Sequence, residues 1–230
     1  MIVVVLGMHR SGTSLVSSIL HAMGVRMGEP AHLKLFHRRD QPQGYWEDQD
    51  FTLLNRQIIK DAGGDWYTPL PSGRIVEAAK AYREEMAQLI ERKEEAAIQS
   101  IGWGWKDPRN CLTMGAWWPF VSTRDLRIVR VRRSNEAIVD SLIRRGTKLA
   151  GGKRIAWTQI IDYNWKCTMG FLRATDPTLK RCADVRYEDL VNKDTAIIPL
   201  NCMAAILGLE GDAYIEAMSA AMDTIKFRED

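Results

Sequence analysis

A three-layer α/β/α domain with a largely parallel central sheet is the fold this sequence predicts, and three observations predict it. The first is the continuous apolar run Ile2 to Leu6, which ends at Gly7 and has the pattern of a strand buried on both faces. The second is that a glycine-containing loop and an amphipathic helix follow this strand at once. The third is the alternation of further short apolar runs with helical patterns along the chain, which is the signature of an α/β fold. With 230 residues, 46% of them apolar, the chain supplies one core but not two, so residues 1–230 read as a single domain.

The elements follow in order. From Thr13, the residues Leu15, Ile19, Leu20 and Met23 keep helical spacing and Gly24 supplies the stop. Residues 25–47 hold Pro30, Pro42, Gly28, His37 and Gly44 with little periodicity, which predicts a long functional loop. A helix is expected from Gln49 to Lys60, ahead of the Gly63-Gly64 break. One longer helix is expected after Ser72, with Ile75, Ala79, Tyr82, Met86 and Leu89 on a single stripe. Strands are expected at Ile101 to Trp105 and at Leu126 to Val131, the latter leading into a helix from Ser134 to Arg145. A long amphipathic pattern covers Lys153 to Arg173. Ala183, Val185 and Tyr187 alternate as a fourth strand before a helical C-terminal part.

Composition narrows the function classes. Lys and Arg number 32 against 29 Asp and Glu, a net +3 that is too small and dispersed for a nucleic-acid surface. Cys111, Cys167, Cys182 and Cys202 are far apart with no Cys-x-x-Cys pair, so neither a zinc site nor a disulfide framework is indicated. The N-terminal apolar run lacks a basic flank and stops at Gly7, short of a signal sequence or a membrane span. A soluble, cytoplasmic protein is expected, with no membrane or nucleic-acid partner.

Gly7-Met8-His9-Arg10-Ser11-Gly12-Thr13-Ser14 has glycines five apart followed by Thr and Ser, so it resembles a nucleotide-binding P-loop in which Thr13 stands at the lysine position. Glycines there let backbone amides turn onto an anion, and the following helix adds its positive end. A kinase would use the missing lysine on its phosphates and a strand-end acid for Mg²⁺. Here the cation, Arg10, lies inside the loop, which suits transfer of a less charged group without a metal.

Arg10-Ser11-Gly12-Thr13-Ser14 after a buried strand resembles the 5′-phosphosulfate loop of sulfotransferases. A second motif supports the likeness: the run Leu126 to Arg133 ends in arginine and Ser141 follows eight residues later, the order and spacing of that family's 3′-phosphate pair. Arg133 would emerge at the carboxyl edge of its strand, where open α/β sheets bind ligands, although Arg130 or Arg132 could serve instead. Gly44-Tyr45-Trp46-Glu47, Trp105-Lys106-Asp107-Pro108-Arg109 and Arg186-Tyr187-Glu188-Asp189-Leu190 are similar to segments of its bacterial and phage-type branch.

The resemblance implies a P-loop-like sulfotransferase fold and transfer of a sulfuryl group from 3′-phosphoadenosine 5′-phosphosulfate (PAPS) to a hydroxyl or amine of a small-molecule or carbohydrate acceptor. The product would be adenosine 3′,5′-bisphosphate, and no metal is required. It places the cofactor on Gly7, His9, Arg10, Ser11, Gly12, Thr13, Ser14, Arg133 and Ser141, with Tyr187 touching adenine. Arg10 and Lys106 supply charge at the bridging oxygen. Glu47 is the first choice for the general base, ahead of Asp107 and then His37 or His32, because the histidine of the cytosolic enzymes' Lys-Thr-His motif has no counterpart in Lys106-Asp107-Pro108. Glu47 could alternatively cap the helix beginning near Asp48, and Asp107 could pair with Arg109. Trp46 and Trp66 are candidates for the acceptor site, and Arg38-Arg39 for an anionic acceptor. The competing functions are a P-loop small-molecule kinase and an inactive nucleotide-binding protein of the same fold.

Overall fold

A computed structural model of the chain describes residues 1–28, 33, 44–146 and 154–225. His32, His37 and Arg38-Arg39 lie outside the described residues. Strands β1 (Ile2–Leu6), β2 (Val25–Arg26), β3 (Gly102–Lys106), β4 (Leu126–Arg132) and β5 (Cys182–Arg186) form one sheet in the order β2-β3-β1-β4-β5. Every pairing in it is parallel. Burial on both faces explains the unbroken apolar character of β1: Val3, Val4, Val5 and Leu6 are fully covered, each side chain stabilising the fold by about 1.5–3 kcal/mol.

Alternate residues of β1 serve two helical layers. Ile2, Val4 and Leu6 pack with α2 (Gln49–Asp61), α3 (Ser72–Ala79), α4 (Arg83–Ala96) and α5 (Asn110–Val121). Val3 and Val5 pack with α1 (Thr13–Ala22) and with α9 (Ile197–Leu207) and α10 (Gly211–Thr224) near the C-terminus. Between these last and β4 come α6 (Asn135–Arg144), α7 (Arg154–Thr175) and the single turn α8 (Tyr187–Leu190). A smaller apolar cluster of Ile138, Val139, Leu142, Trp157, Ile160 and Ile161 seats α6 on α7 and holds Met8 of the loop.

This is the three-layer α/β/α architecture expected. The chain leaves β1 toward β2 on one side of the sheet and leaves β4 toward β5 on the other, so the divergence falls between the adjacent strands β1 and β4. Ligands bind outside the carboxyl ends of strands at such a point.

Four local differences from the sequence expectation have physical causes. The long helix after Ser72 is interrupted by a 3-10 turn, Lys80–Tyr82, where the Tyr82 hydroxyl donates to Asp61 of α2; its stripe still faces the core, with Ile75, Ala79, Met86 and Leu89 buried. Tyr187 opens α8 and does not extend β5. β2 is only two residues long, too short to show a period. Residues 110–121 form α5 without periodic signal, because it is apolar nearly all round and contains Pro119.

Candidate active site

The segment 7–14 leaves β1 at its carboxyl end and enters α1, as its composition requires. Gly12 sits at φ 98°, a left-handed conformation that favours glycine, and a Cβ there would lie 2.1 Å from Cδ2 of Tyr187. Arg10 is also left-handed, at φ 70°, a strained state for an arginine of the kind concentrated at functional sites. Both donors of Ser11 turn inward: its amide and its hydroxyl reach the Met8 carbonyl at 3.1 and 2.6 Å. Helix α1 has no side-chain cap and no acid in its first turn. Its first amides and positive end are therefore disposed toward an anion, which is the fit that a phosphosulfate requires.

The loop is closed from the β4 side. Nη1 of Arg133, just past β4, donates to the Arg10 carbonyl at 2.9 Å, and its guanidinium lies 4.5 Å from the Tyr187 ring centre. Nε of Arg10 donates to Oγ of Ser141 at 2.8 Å, with Ser141 buried on α6. Arg10, Arg133, Ser141, Tyr187 and Gly12 therefore form one contact group. Arg130 and Arg132, the other two arginines weighed for the phosphate, both turn to Asp184 on β5.

The β3 side carries the remaining charges. Lys106, the last residue of β3, is buried, with Nζ 3.1 Å from Oε1 of Glu47 and 3.2 Å from Oγ of Ser14; Ser14 in turn donates to the Tyr45 carbonyl at 3.0 Å. Burial lowers the Lys106 pKa, and the Glu47 carboxylate works against that. Asp48, not Glu47, caps α2 by accepting the Asp50 amide, and Trp46 before them is left-handed at φ 51°. Asp107 is fully buried. Its oxygens accept from Asn55 at 3.0 Å and from the Arg109 amide and guanidinium at 3.0 and 2.7 Å. Burial raises its pKa, while Arg109 lowers it.

His9 stands between these two sides. Its ring lies 4.2 Å from that of Trp66, which stacks on Trp157 at 5.8 Å. Trp46 faces away, packed against His21 of α1 at 5.0 Å. Thr13 is buried at the start of α1, and Gly7 is also enclosed, though less tightly than Gly12, since a Cβ on it would lie 2.7 Å from Cγ2 of Thr13.

A profile of the sulfotransferase family matches residues 3–200. The chain belongs to the sulfotransferase family. The structure superposes on the crystal structure of a sulfotransferase from Mycobacterium tuberculosis H37Rv with a TM-score of 0.58 at 14% sequence identity, covering 94% of this chain and 70% of that one. At that identity the likeness concerns the fold. No relative is found among curated proteins.

In this sulfotransferase a cleft of about 450 Å³ opens beside the loop, lined by Gly7, Met8 and Ser11 on one side and by Arg133, Trp165 and Arg186 among others on the opposite walls. The described residues hold no group of three or more His, Cys, Asp or Glu placed for a metal, and no helix long and apolar enough to cross a membrane. Arg109 had a signal, its place two residues after Asp107, and the pairing of the two that the sequence offered as an alternative is present at 2.7 Å. Two other contributors were missed. Asn55, which links Asp107, Asn110 and the Trp117 indole, and Arg145, whose guanidinium lies 5.6 Å from the Tyr45 ring, had no signal, because only the tertiary fold brings them in.

Proposed function

We propose that the chain moves a sulfuryl group from PAPS to a hydroxyl or amine of a small-molecule or carbohydrate acceptor in the cytoplasm, releasing adenosine 3′,5′-bisphosphate. The observation that carries this reading is the arrangement around the loop: a strained arginine, Arg10, bonded to Ser141 and locked by Arg133, with the buried pair Lys106–Glu47 joined to the same loop through Ser14. A sulfuryl donor needs a cation at its bridging oxygen and a base on the acceptor side, and these groups supply both.

The roles follow from position. Gly7 to Ser14 surround the 5′-phosphate with amides and hydroxyls at the positive end of α1. Arg133 and Ser141 receive the 3′-phosphate. Tyr187 bounds the adenine side while fixing Gly12 and Arg133. Arg10 and Lys106 stabilise the charge that grows on the bridging oxygen as its bond to sulfur breaks; Arg10 does so by charge and hydrogen bonding, because guanidinium does not give up its proton. Glu47 takes the acceptor's proton. Asp107 is better suited to a positioning role, since one of its oxygens holds Arg109 at the start of α5 and the other accepts from Asn55 of α2.

Calorimetric titration separates this reading from the kinase alternative. Adenosine 3′,5′-bisphosphate should bind, without added metal, more tightly than ATP with Mg²⁺. Tight binding of ATP with Mg²⁺ alone overturns the proposal.

A further inference from the structure

Nε2 of His9 is a sealed nitrogen with no hydrogen-bond partner among the described residues. Buried polar atoms are nearly always bonded, so an exception calls for a ligand or an ordered water. The ring is not loose. Trp66 lies against it at 4.2 Å and is itself held on Trp157, which is buried in the cluster between α6 and α7. Packing, and not a hydrogen bond, fixes where Nε2 stands.

The charges around the ring define the guest. Arg10 comes from the same loop, Lys106 from the end of β3, Arg109 from the start of α5 and Arg145 from the end of α6, and all four act on the imidazole. Two carboxylates accompany these cations: Glu47 is paired with Lys106 and Asp107 with Arg109. Cations therefore outnumber anions, a surplus that favours an anion as the entering group. An anion's oxygen accepts hydrogen bonds, so the histidine nitrogen that meets it carries the proton.

We propose that His9 is a neutral hydrogen-bond donor to the sulfuryl group in transfer: Nε2–H meets a sulfuryl oxygen while Trp66 holds the ring in place. The inference rests on the sulfuryl-transfer reading and gives His9, expected among the cofactor's contacts, a specific atom and a specific partner group. Burial, followed by the four cations, keeps the imidazole well below its usual pKa, so it stays neutral at physiological pH, and a neutral imidazole is an established means of polarising an oxygen. The proton on His9 does not move. The bond from sulfur to the phosphate oxygen breaks with its electron pair left on that oxygen, the acceptor oxygen or nitrogen bonds to sulfur, and the acceptor's proton goes to Glu47.

The test compares the affinities of PAPS and of adenosine 3′,5′-bisphosphate, which lacks the sulfuryl group, so no acceptor is needed. A glutamine amide nitrogen mimics Nε2 and cannot titrate, whereas an asparagine amide falls short of it. His9→Gln should keep the wild-type preference for PAPS within about 3-fold, and His9→Asn should lose about 10-fold of it, as expected for one hydrogen bond to a charged oxygen, with bisphosphate affinity little changed in both. Equal loss in the two variants, unchanged preference in both, or a 10-fold fall in bisphosphate affinity itself would overturn the proposal. A wild-type protein that binds neither nucleotide would instead overturn the sulfuryl-transfer reading.

Discussion

Arg10 and Ser141 are joined by a 2.8 Å hydrogen bond from Nε to Oγ, although 131 residues separate them. The bond spans the divergence between β1 and β4 and couples the loop after β1 to α6, which under the proposed function joins the 5′- and 3′-phosphate subsites. Ser141→Ala should therefore weaken turnover as well as nucleotide binding, each by about 10-fold, the worth of a hydrogen bond to a charged group. Arg10→Ala should lower turnover by about 100- to 1,000-fold, as loss of a transition-state donor does, and Arg10→Lys should fall between. Steady-state kinetics with calorimetry on the same variants checks the ordering.

Glu47→Gln should keep nucleotide binding and lose at least about 100-fold in turnover, as general-base loss does. It also removes the partner of the buried Lys106 ammonium, which costs roughly 3 kcal/mol and lowers the Lys106 pKa further. A depressed lysine pKa penalises folding below that pKa and is relieved above it, so the stability gap to wild type should narrow as pH rises. Urea melts at pH 7 and pH 9 measure this. Retained turnover would remove Glu47 from the base role.

Stability near neutrality should carry a signature of His9. Its folded pKa lies well below 6.5, so below pH 6.5 the unfolded chain binds a proton that the folded chain does not. The contribution of His9 is therefore full above pH 6.5 and falls by about 1.4 kcal/mol per unit on acidification until the folded group protonates. His9→Gln should remove that slope. Asp107, whose pKa is raised, contributes in the opposite sense, and it cancels in the difference between wild type and variant. Denaturant titrations of both proteins at pH 5, 6 and 7 give that difference.

Gly12→Ala faces two obstacles, a left-handed backbone worth about 1–2 kcal/mol to an alanine and the overlap with Tyr187. In a Tyr187→Ala background only the first remains, so the alanine should cost clearly less there than in wild type. A double-mutant cycle by thermal or urea unfolding reads the coupling. Additive effects would mean that the ring yields at no cost.

The parts of this protein that were legible in its sequence are those where local rules and the fold agree. β1, the loop and α1 are adjacent in sequence and in space, and the interval from Arg133 to Ser141 is the length of one strand-to-helix passage. The interrupted helix at Lys80–Tyr82 and the featureless α5 were hidden because tertiary packing, not propensity, decides them. At the site, the bonding of Arg10 to Ser141, the pairing of Glu47 with Lys106 and the packing of His9 against Trp66 all depend on residues far apart along the chain, and a spacing pattern holds no information about them.

The tilted contact of Trp66 with His9 also gives the molecule an intrinsic optical gauge. Trp105 and Trp117 are sealed in the β3 layer beside Phe51 and emit from a constant environment. Trp66 abuts the imidazole of the loop, and any change in what that imidazole touches alters its emission. The fluorescence of Trp66, isolated by its replacement with phenylalanine, thus reports occupancy of the loop without a dye or a label.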